Sequence, residues 1–334
     1  MIRVLQLLEQ NADFQTRRLV SSLTAGLNGD LLSFATTIGP GGDLRGFWDA
    51  ASWLAGERAE VIHAWGIRPL LAAAMFSDAR IVYTPSTTTQ GKSKWADWIG
   101  KRRDIQIVMH CAQSRTNRIP PHKLQLIPIG ISTPPSFINR KVRAELGITA
   151  DDFVVLAPGE STRQAEHHLA LWTVAILHEL HPSWKLLIWG RGELADEISR
   201  MAARLGRPRL VLTAREKEFE DLPSAADVAL VTARDAAPLM ATALCMAGGL
   251  PIVATNSWLA DGRNALVVAD RAPRTLAQRL LDLRNNAVLA KKLAESAQND
   301  AAATWNMTRF LNRHQALYQG LRRPDSSLPG HVPQ

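Results

Sequence analysis

The sequence predicts an α/β protein built from two doubly wound parallel sheets of Rossmann type, and three observations carry that reading. Short apolar runs recur along the whole chain and alternate with longer amphipathic stretches. Those runs are apolar throughout, as in strands covered on both faces. A length of 334 residues with 46% hydrophobic composition supplies apolar side chains for two separate cores.

In the first half, strands are expected near 2–8, 31–36, 60–64, 80–84, 105–109 and 124–128, with amphipathic helices between them. Thr133-Pro134-Pro135-Ser136 has linker composition. The second half repeats the alternation, with strands near 153–157, 185–189, 209–212, 227–231, 251–255 and 265–268 and helices near 165–181, 193–204, 238–247 and 273–304. Domains are therefore expected at 1–134 and 135–306, followed by a segment of helical character over 307–322 and a disordered tail over 323–334.

One stretch carries its punctuation in full. Asp227 to Val231 is a buried-strand run, Pro238 opens a small-residue helix, and Gly248-Gly249-Leu250-Pro251 closes it. Ile252 to Thr255 is the next strand, and a turn at Asp261-Gly262-Arg263-Asn264 leads to Ala265-Leu266-Val267-Val268. Such a unit aims the free N–H groups of the helix N-terminus at the carboxyl edge of the sheet, where ligands bind.

Composition narrows the class. Two cysteines, Cys111 and Cys245, fall in different halves, which argues against a disulfide framework and for a reducing, cytoplasmic compartment. The N-terminal apolar run is interrupted by charge too soon for a signal segment, and no run approaches a membrane span. A net charge of +8 with pI near 9.9 calls for an anionic partner. Nucleic acid is not expected, because there is no basic arm, zinc-finger spacing or RNA-binding strand signature. The local candidate is Lys92 to Arg103, with cations at both ends and Trp95 and Trp98 on one face. It reads either as a peripheral contact with the anionic inner face of a membrane or as a helix whose tryptophans pack on the first sheet.

Rival motifs are weak. Gly190-Arg191-Gly192-Glu193-Leu194-Ala195 fits a dinucleotide fingerprint, but the next strand ends at Thr213 with no acidic residue for a ribose. Gly39-Pro40-Gly41-Gly42 lacks a Walker lysine, and Glu166-His167-His168 lacks helical zinc spacing and reads as exposed helix residues. No metal is expected.

The ordered blocks Glu60 to Gly66, Leu126 to Ile131, Phe153 to Gly159, Trp184 to Gly192 and Met246 to Thr255 resemble the family 4 glycosyltransferases, the group 1 enzymes of GT-B fold. The resemblance implies transfer of a sugar from a nucleotide-sugar donor (a UDP- or GDP-sugar) to an acceptor hydroxyl, with retention and without a required metal or cofactor. An unidentified, lipid-linked acceptor would suit the basic segment. Four charges of the family pattern are replaced, with Glu160 at its Arg, Ala165 at its Lys, and Ala236 and Leu244 at its two glutamates. An alternative is therefore a catalytically degenerate relative that binds a ligand or partner in the same cleft.

The resemblance also supplies the candidate site. Gly159, Glu160, Arg163, Gly190, Arg191, Asp235, Gly262 and Asn264 form the donor side, with Arg163 or Arg191 neutralising the diphosphate and Gly159 and Gly262 admitting it to the backbone. The resemblance also implies that the 307–322 helix crosses back to the first domain. Asp235 contacts the donor sugar or caps the helix. His63 and Ser86 fall on the acceptor side. His63 either orients a hydroxyl or is a hydrogen-bonded core histidine.

Overall fold

The computed structural model describes residues 2–27, 31–39, 54, 56, 58–85, 99, 104–111, 120–132, 138–207, 209–233, 238–255 and 258–321. These form two compact units, one running to Pro128 and resuming at Thr308, the other spanning Ile129–Met307.

The first unit holds β1 (Ile2–Glu9), α1 (Phe14–Gly26), β2 (Leu31–Ile38), β3 (Val61–Trp65), α2 (Ile67–Phe76), β4 (Arg80–Thr84), β5 (Ile105–Met109) and β6 (Leu124–Leu126). Its strands pair in parallel in the order β2-β1-β3-β4-β5-β6. Asp13 starts α1 as N-cap, its Oδ1 accepting from the Thr16 N–H at 2.7 Å. Leu5, Leu7, Ile62, Leu70, Ile81 and Tyr83 build the core.

The final helix of the chain, Met307–Gly320, completes this unit; here it is α9, following the helices of the second unit. It buries Phe310, His314 and Tyr318, spaced four apart and so on one face. A Cβ built on Gly26 would lie 2.7 Å from Cδ1 of Leu311, so α1 has a glycine where α9 comes closest.

The second unit holds α3 (Arg140–Glu145), β7 (Phe153–Ala157), α4 (His167–Leu180), β8 (Trp184–Ile188), α5 (Ala195–Arg204) and β9 (Val211–Thr213). A 3₁₀ segment, Phe219–Ala225, precedes β10 (Val228–Val231), α6 (Leu239–Ala247), β11 (Ile252–Ala254), β12 (Leu266–Val267), α7 (Pro273–Asn285) and α8 (Ala287–Thr304). Its sheet is also parallel, in the order β12-β11-β10-β7-β8-β9.

Arg143 fastens the entry to this unit. Only 8% exposed, it donates to the carbonyls of Ala225, Thr149 and Asp152 and to Asp227 Oδ2 at 3.2 Å. The same Asp227 oxygen accepts the Val154 N–H. Ile131 N–H donates to the Trp305 carbonyl, and Ile131 bridges Asn306, which draws the chain after Pro128 into the second unit, ahead of the Thr133 to Ser136 linker composition.

The single helix expected over 273–304 is two helices. Asn286 leaves helical geometry (φ −126°, ψ 83°) and its side chain accepts from the Leu289 N–H, so it caps α8 and α7 stops at Asn285. The amphipathic period continues on both sides of the break, which hides it from a pattern reading.

Candidate functional site

In the second sheet the chain runs outward from β7 through β8 to β9, then returns to the other side of β7 and runs through β10, β11 and β12. The order therefore reverses between β7 and β10. At such a point the two following loops diverge and leave a crevice at the carboxyl ends of the strands, the place where open α/β sheets bind ligands.

The loop after β7 meets the first turn of α6 there. Gly159 has φ +86°, and a Cβ built on it would lie 3.4 Å from the Cβ atoms of Pro238 and Ala241. A glycine is needed for the backbone conformation, and it leaves main chain bare beside the helix start. α6 begins with no side-chain cap and ends with Gly249 at φ +74°, where Gly248 and Leu250 N–H groups close on Leu244 and Cys245 carbonyls.

The loop after β8 interlocks with it. Ser161 N–H donates to the Arg191 carbonyl at 2.7 Å, and Leu194 N–H donates to the Ser161 carbonyl at 2.9 Å. Gly192 (φ +105°) makes this possible, since a Cβ there would stand 2.6 Å from the Ser161 oxygen. His167 is buried, not exposed as the sequence pattern suggested. Its Nε2–H donates to the Pro158 carbonyl at 3.2 Å, which leaves Nδ1 to accept from Ser161 Oγ at 2.9 Å. Burial holds its pKa down at about 4, so the ring is neutral at physiological pH.

Of the expected donor-side residues, Gly159, Glu160, Arg163, Gly190 and Arg191 come from these two interlocked loops. Arg163 is 82% exposed and is held only at the surface, 3.7 Å from Glu193, a contact of the kind that adds little stability. Arg191 is more committed. Its Nε and Nη2 donate to the Arg215 carbonyl at 3.3 and 3.2 Å, and its guanidinium lies 4.5 Å over the Trp189 ring. Gly190 has φ +80°, and a Cβ there would strike Thr213 Cγ2 at 2.2 Å. Gly262 (φ +68°) has open space around it. Asn264 is 5% exposed and its amide is used within the turn and against α8, Oδ1 accepting from Ala260 N–H and Nδ2 donating to Asp300 Oδ2 at 2.7 Å. Of the replaced family positions, Ala165 and Leu244 are buried.

His63 has the surroundings of a core residue. It is fully buried, with Nδ1 2.7 Å from the Tyr318 hydroxyl and Nε2 2.8 Å from Thr84 Oγ1. Neither ring nitrogen is left for an acceptor, and burial together with His314 and His110 keeps its pKa well below the usual histidine value. Asp235 and Ser86 lie outside the described residues, as do Ala236 and, apart from Ile99, the Lys92 to Arg103 segment and the 323–334 tail.

A latch at the far end of the β7 loop gave no signal in the sequence. Arg271, just before α7, donates through Nη2 to the Glu166 carboxylate and to the Thr232 carbonyl, and through Nη1 to Thr255 Oγ1. Among the described residues no group of three or more His, Cys, Asp or Glu is placed to hold a metal ion, and no helix is long and apolar enough to cross a membrane.

Two parallel sheets with alternating helices, and a glycine-bearing switch point in the second, define the class as GT-B in fold. Residues 152–286, the part of the chain that builds this switch point, match the family described as Glycosyl transferases group 1. Solved structures agree over nearly the whole chain. Alr3699/HepE of Anabaena, solved in complex with UDP and glucose, superimposes with a TM-score of 0.76 at 14% identity, covering 96% of this chain and 100% of that one. WaaG, a glycosyltransferase involved in lipopolysaccharide biosynthesis, gives 0.68 at 15% identity, with 96% and 100% covered. Sucrose-phosphate synthase of Thermosynechococcus elongatus gives 0.71 at 16% identity, with 96% and 99% covered. No curated protein matches the sequence.

Proposed function

We propose that the protein is a glycosyltransferase that takes a sugar from a nucleotide-sugar donor and passes it to an acceptor hydroxyl with retention at the anomeric carbon. The observation that carries this reading is the placement of Gly159 against the first turn of α6 at the β7/β10 switch point, within the segment that matches the family. Backbone N–H groups at a helix start stabilise the charge that develops on a leaving diphosphate. UDP is the favoured nucleotide, because the Anabaena relative is seen with UDP and glucose.

The missing family cations leave a deficit at the diphosphate. Arg163 supplies the replacement, since its exposed pair with Glu193 is easily broken and its loop already borders Gly159. Arg191 contributes less, because it is occupied by the Arg215 carbonyl and Trp189. The leaving diphosphate accepts the acceptor proton, so no separate protein base is required, and no metal enters the scheme. The site works on the cytoplasmic side of a membrane, with a lipid-linked acceptor met through Lys92 to Arg103.

A second reading is favoured by one observation. Leu244 and Ala165 are buried where the family pattern carries charges, so the fold has absorbed the substitutions into its packing, as a ligand-binding relative without turnover would. Turnover with a panel of UDP- and GDP-sugars decides. Hydrolysis or transfer supports the transferase. Nucleotide binding by a folded protein without either supports the second reading, and neither binding nor turnover ends both.

A further inference from the structure

Among the described residues only two non-glycine positions have positive φ, Glu166 at 51° and Arg271 at 55°, and their side chains form an ion pair with each other. Left-handed backbone is unfavourable for residues with a Cβ and persists where the surroundings impose it. Here 105 residues separate the two, so the ion pair links two points of left-handed backbone far apart in the chain. Both side chains are largely buried, at 22% and 16% exposure, which shields the pair from screening by solvent.

The contacts around the pair gather at the carboxyl ends of β10 and β11. Arg271 Nη2 also donates to the Thr232 carbonyl at 2.8 Å, and Nη1 donates to Thr255 Oγ1 at 2.7 Å. The single Thr255 Oγ1 proton is in turn shared between the carbonyls of Thr232 and Ala233, and Thr232 Oγ1 donates to the Ala165 carbonyl at 2.7 Å. The β7 loop is thus fixed at its end by Glu166 and Ala165, and at its middle by Ser161 and His167. Ala165 stands where the family pattern has its lysine. The loop has lost a side chain that a diphosphate would have ordered, and it carries an internal fastening beside that position.

We propose that Glu166 and Arg271 are positioning residues, a latch that holds the 158–166 loop in the conformation that receives the donor diphosphate before the donor arrives. The proposal rests on the transferase reading for the identity of the ligand. Neither side chain needs to touch the donor. The latch lowers the ordering cost of binding, so breaking it weakens donor affinity and leaves the chemical step alone.

The test compares wild type with Glu166→Gln, Arg271→Lys and the swapped double variant Glu166→Arg/Arg271→Glu. Calorimetry with UDP, donor KM and kcat, and amide hydrogen exchange over 159–166 are read on each. The single variant Glu166→Gln should raise the UDP Kd and the donor KM about tenfold while kcat stays within about twofold, and should speed exchange in the loop. Arg271→Lys, which keeps the charge, should fall between, and the swap should recover only part of the loss, because a glutamate at 271 cannot donate to the Thr232 carbonyl. Folded single variants with wild-type affinity and wild-type exchange would overturn the latch. If the wild-type protein binds no nucleotide, the transferase reading fails, and the exchange rates alone judge the latch, with unchanged protection in Glu166→Gln overturning it.

Discussion

The Tyr318 hydroxyl lies 2.7 Å from Nδ1 of His63, across 255 residues of sequence, and so joins the last helix to the third strand of the first sheet. The bond belongs to a proton-consistent chain. Trp65 Nε1–H donates to Gln6 Oε1, Gln6 Nε2–H to the Tyr318 oxygen, Tyr318 O–H to His63, and His63 Nε2–H to Thr84 Oγ1. Every member is buried, so each bond that fails leaves a desolvated polar group behind.

Tyr318→Phe removes the hydroxyl at the centre of this chain and keeps the ring. It should cost about 1–3 kcal/mol, because His63 Nδ1 and one Gln6 N–H lose their partner together. Urea unfolding monitored by tryptophan fluorescence measures the loss.

Stability should fall steeply in acid. Burial holds His110 and His167 down at about 4 and His314 at about 3, against an ordinary value of 6.5, and holds His63 low as well. Groups with depressed folded values are neutral in the native state, while the unfolded chain takes up protons below pH 6.5. The stability they contribute is therefore complete above pH 6.5 and is lost as pH falls towards 4, at roughly 1.4 kcal/mol per histidine per pH unit. An acid titration followed by circular dichroism should show the unfolding midpoint between about pH 5 and pH 3, since the summed histidine loss there is comparable with the roughly 5–15 kcal/mol that separates native from unfolded states.

Gly192→Ala should disturb ligand binding more than the core. Its Cβ would sit 2.6 Å from the Ser161 oxygen and 2.7 Å from the Ser161 nitrogen, both backbone atoms that cannot rotate away. The clash and the left-handed φ together should cost at least about 1–2 kcal/mol and part the two interlocked loops. Thermal melting and nucleotide titration on the same sample separate the two effects.

Arg143→Ala should destabilise the second unit by about 2–4 kcal/mol, because it leaves the part-buried Asp227 carboxylate without its cation and three carbonyls without their donor. Asp227 would keep the Val154 N–H and lose the rest of its support from Arg143. A differential scanning calorimetry trace should show the loss as a lowered Tm.

Much of the scaffold was legible in the sequence. Phe153–Ala157 is read correctly because it is a continuous apolar run bounded by breakers, which is how doubly buried parallel strands are written, and Ile105–Met109, interrupted only by Gln106, carries nearly the same signal. The glycines at 159 and 262 are legible as positions where the backbone must stay bare, and the structure shows both at positive φ. What escaped the sequence depends on distance along the chain. Nothing near His63 announces Tyr318 as its partner, and nothing near Glu166 announces Arg271, because both contacts exist only after the sheets are ordered. Asn286 escaped for a different reason, since an asparagine within a continuing amphipathic period reads as tolerated until its side chain is seen capping the next helix.

A nucleoside diphosphate should seat against the loop after β7 and the first turn of α6. Amide hydrogen exchange of the intact protein with and without saturating UDP tests it most directly. Exchange should slow at Gly159 to Arg163 and at Leu239 to Thr242, with the rest of the second sheet unchanged. No slowing anywhere, or slowing confined to other parts of the chain, would contradict it.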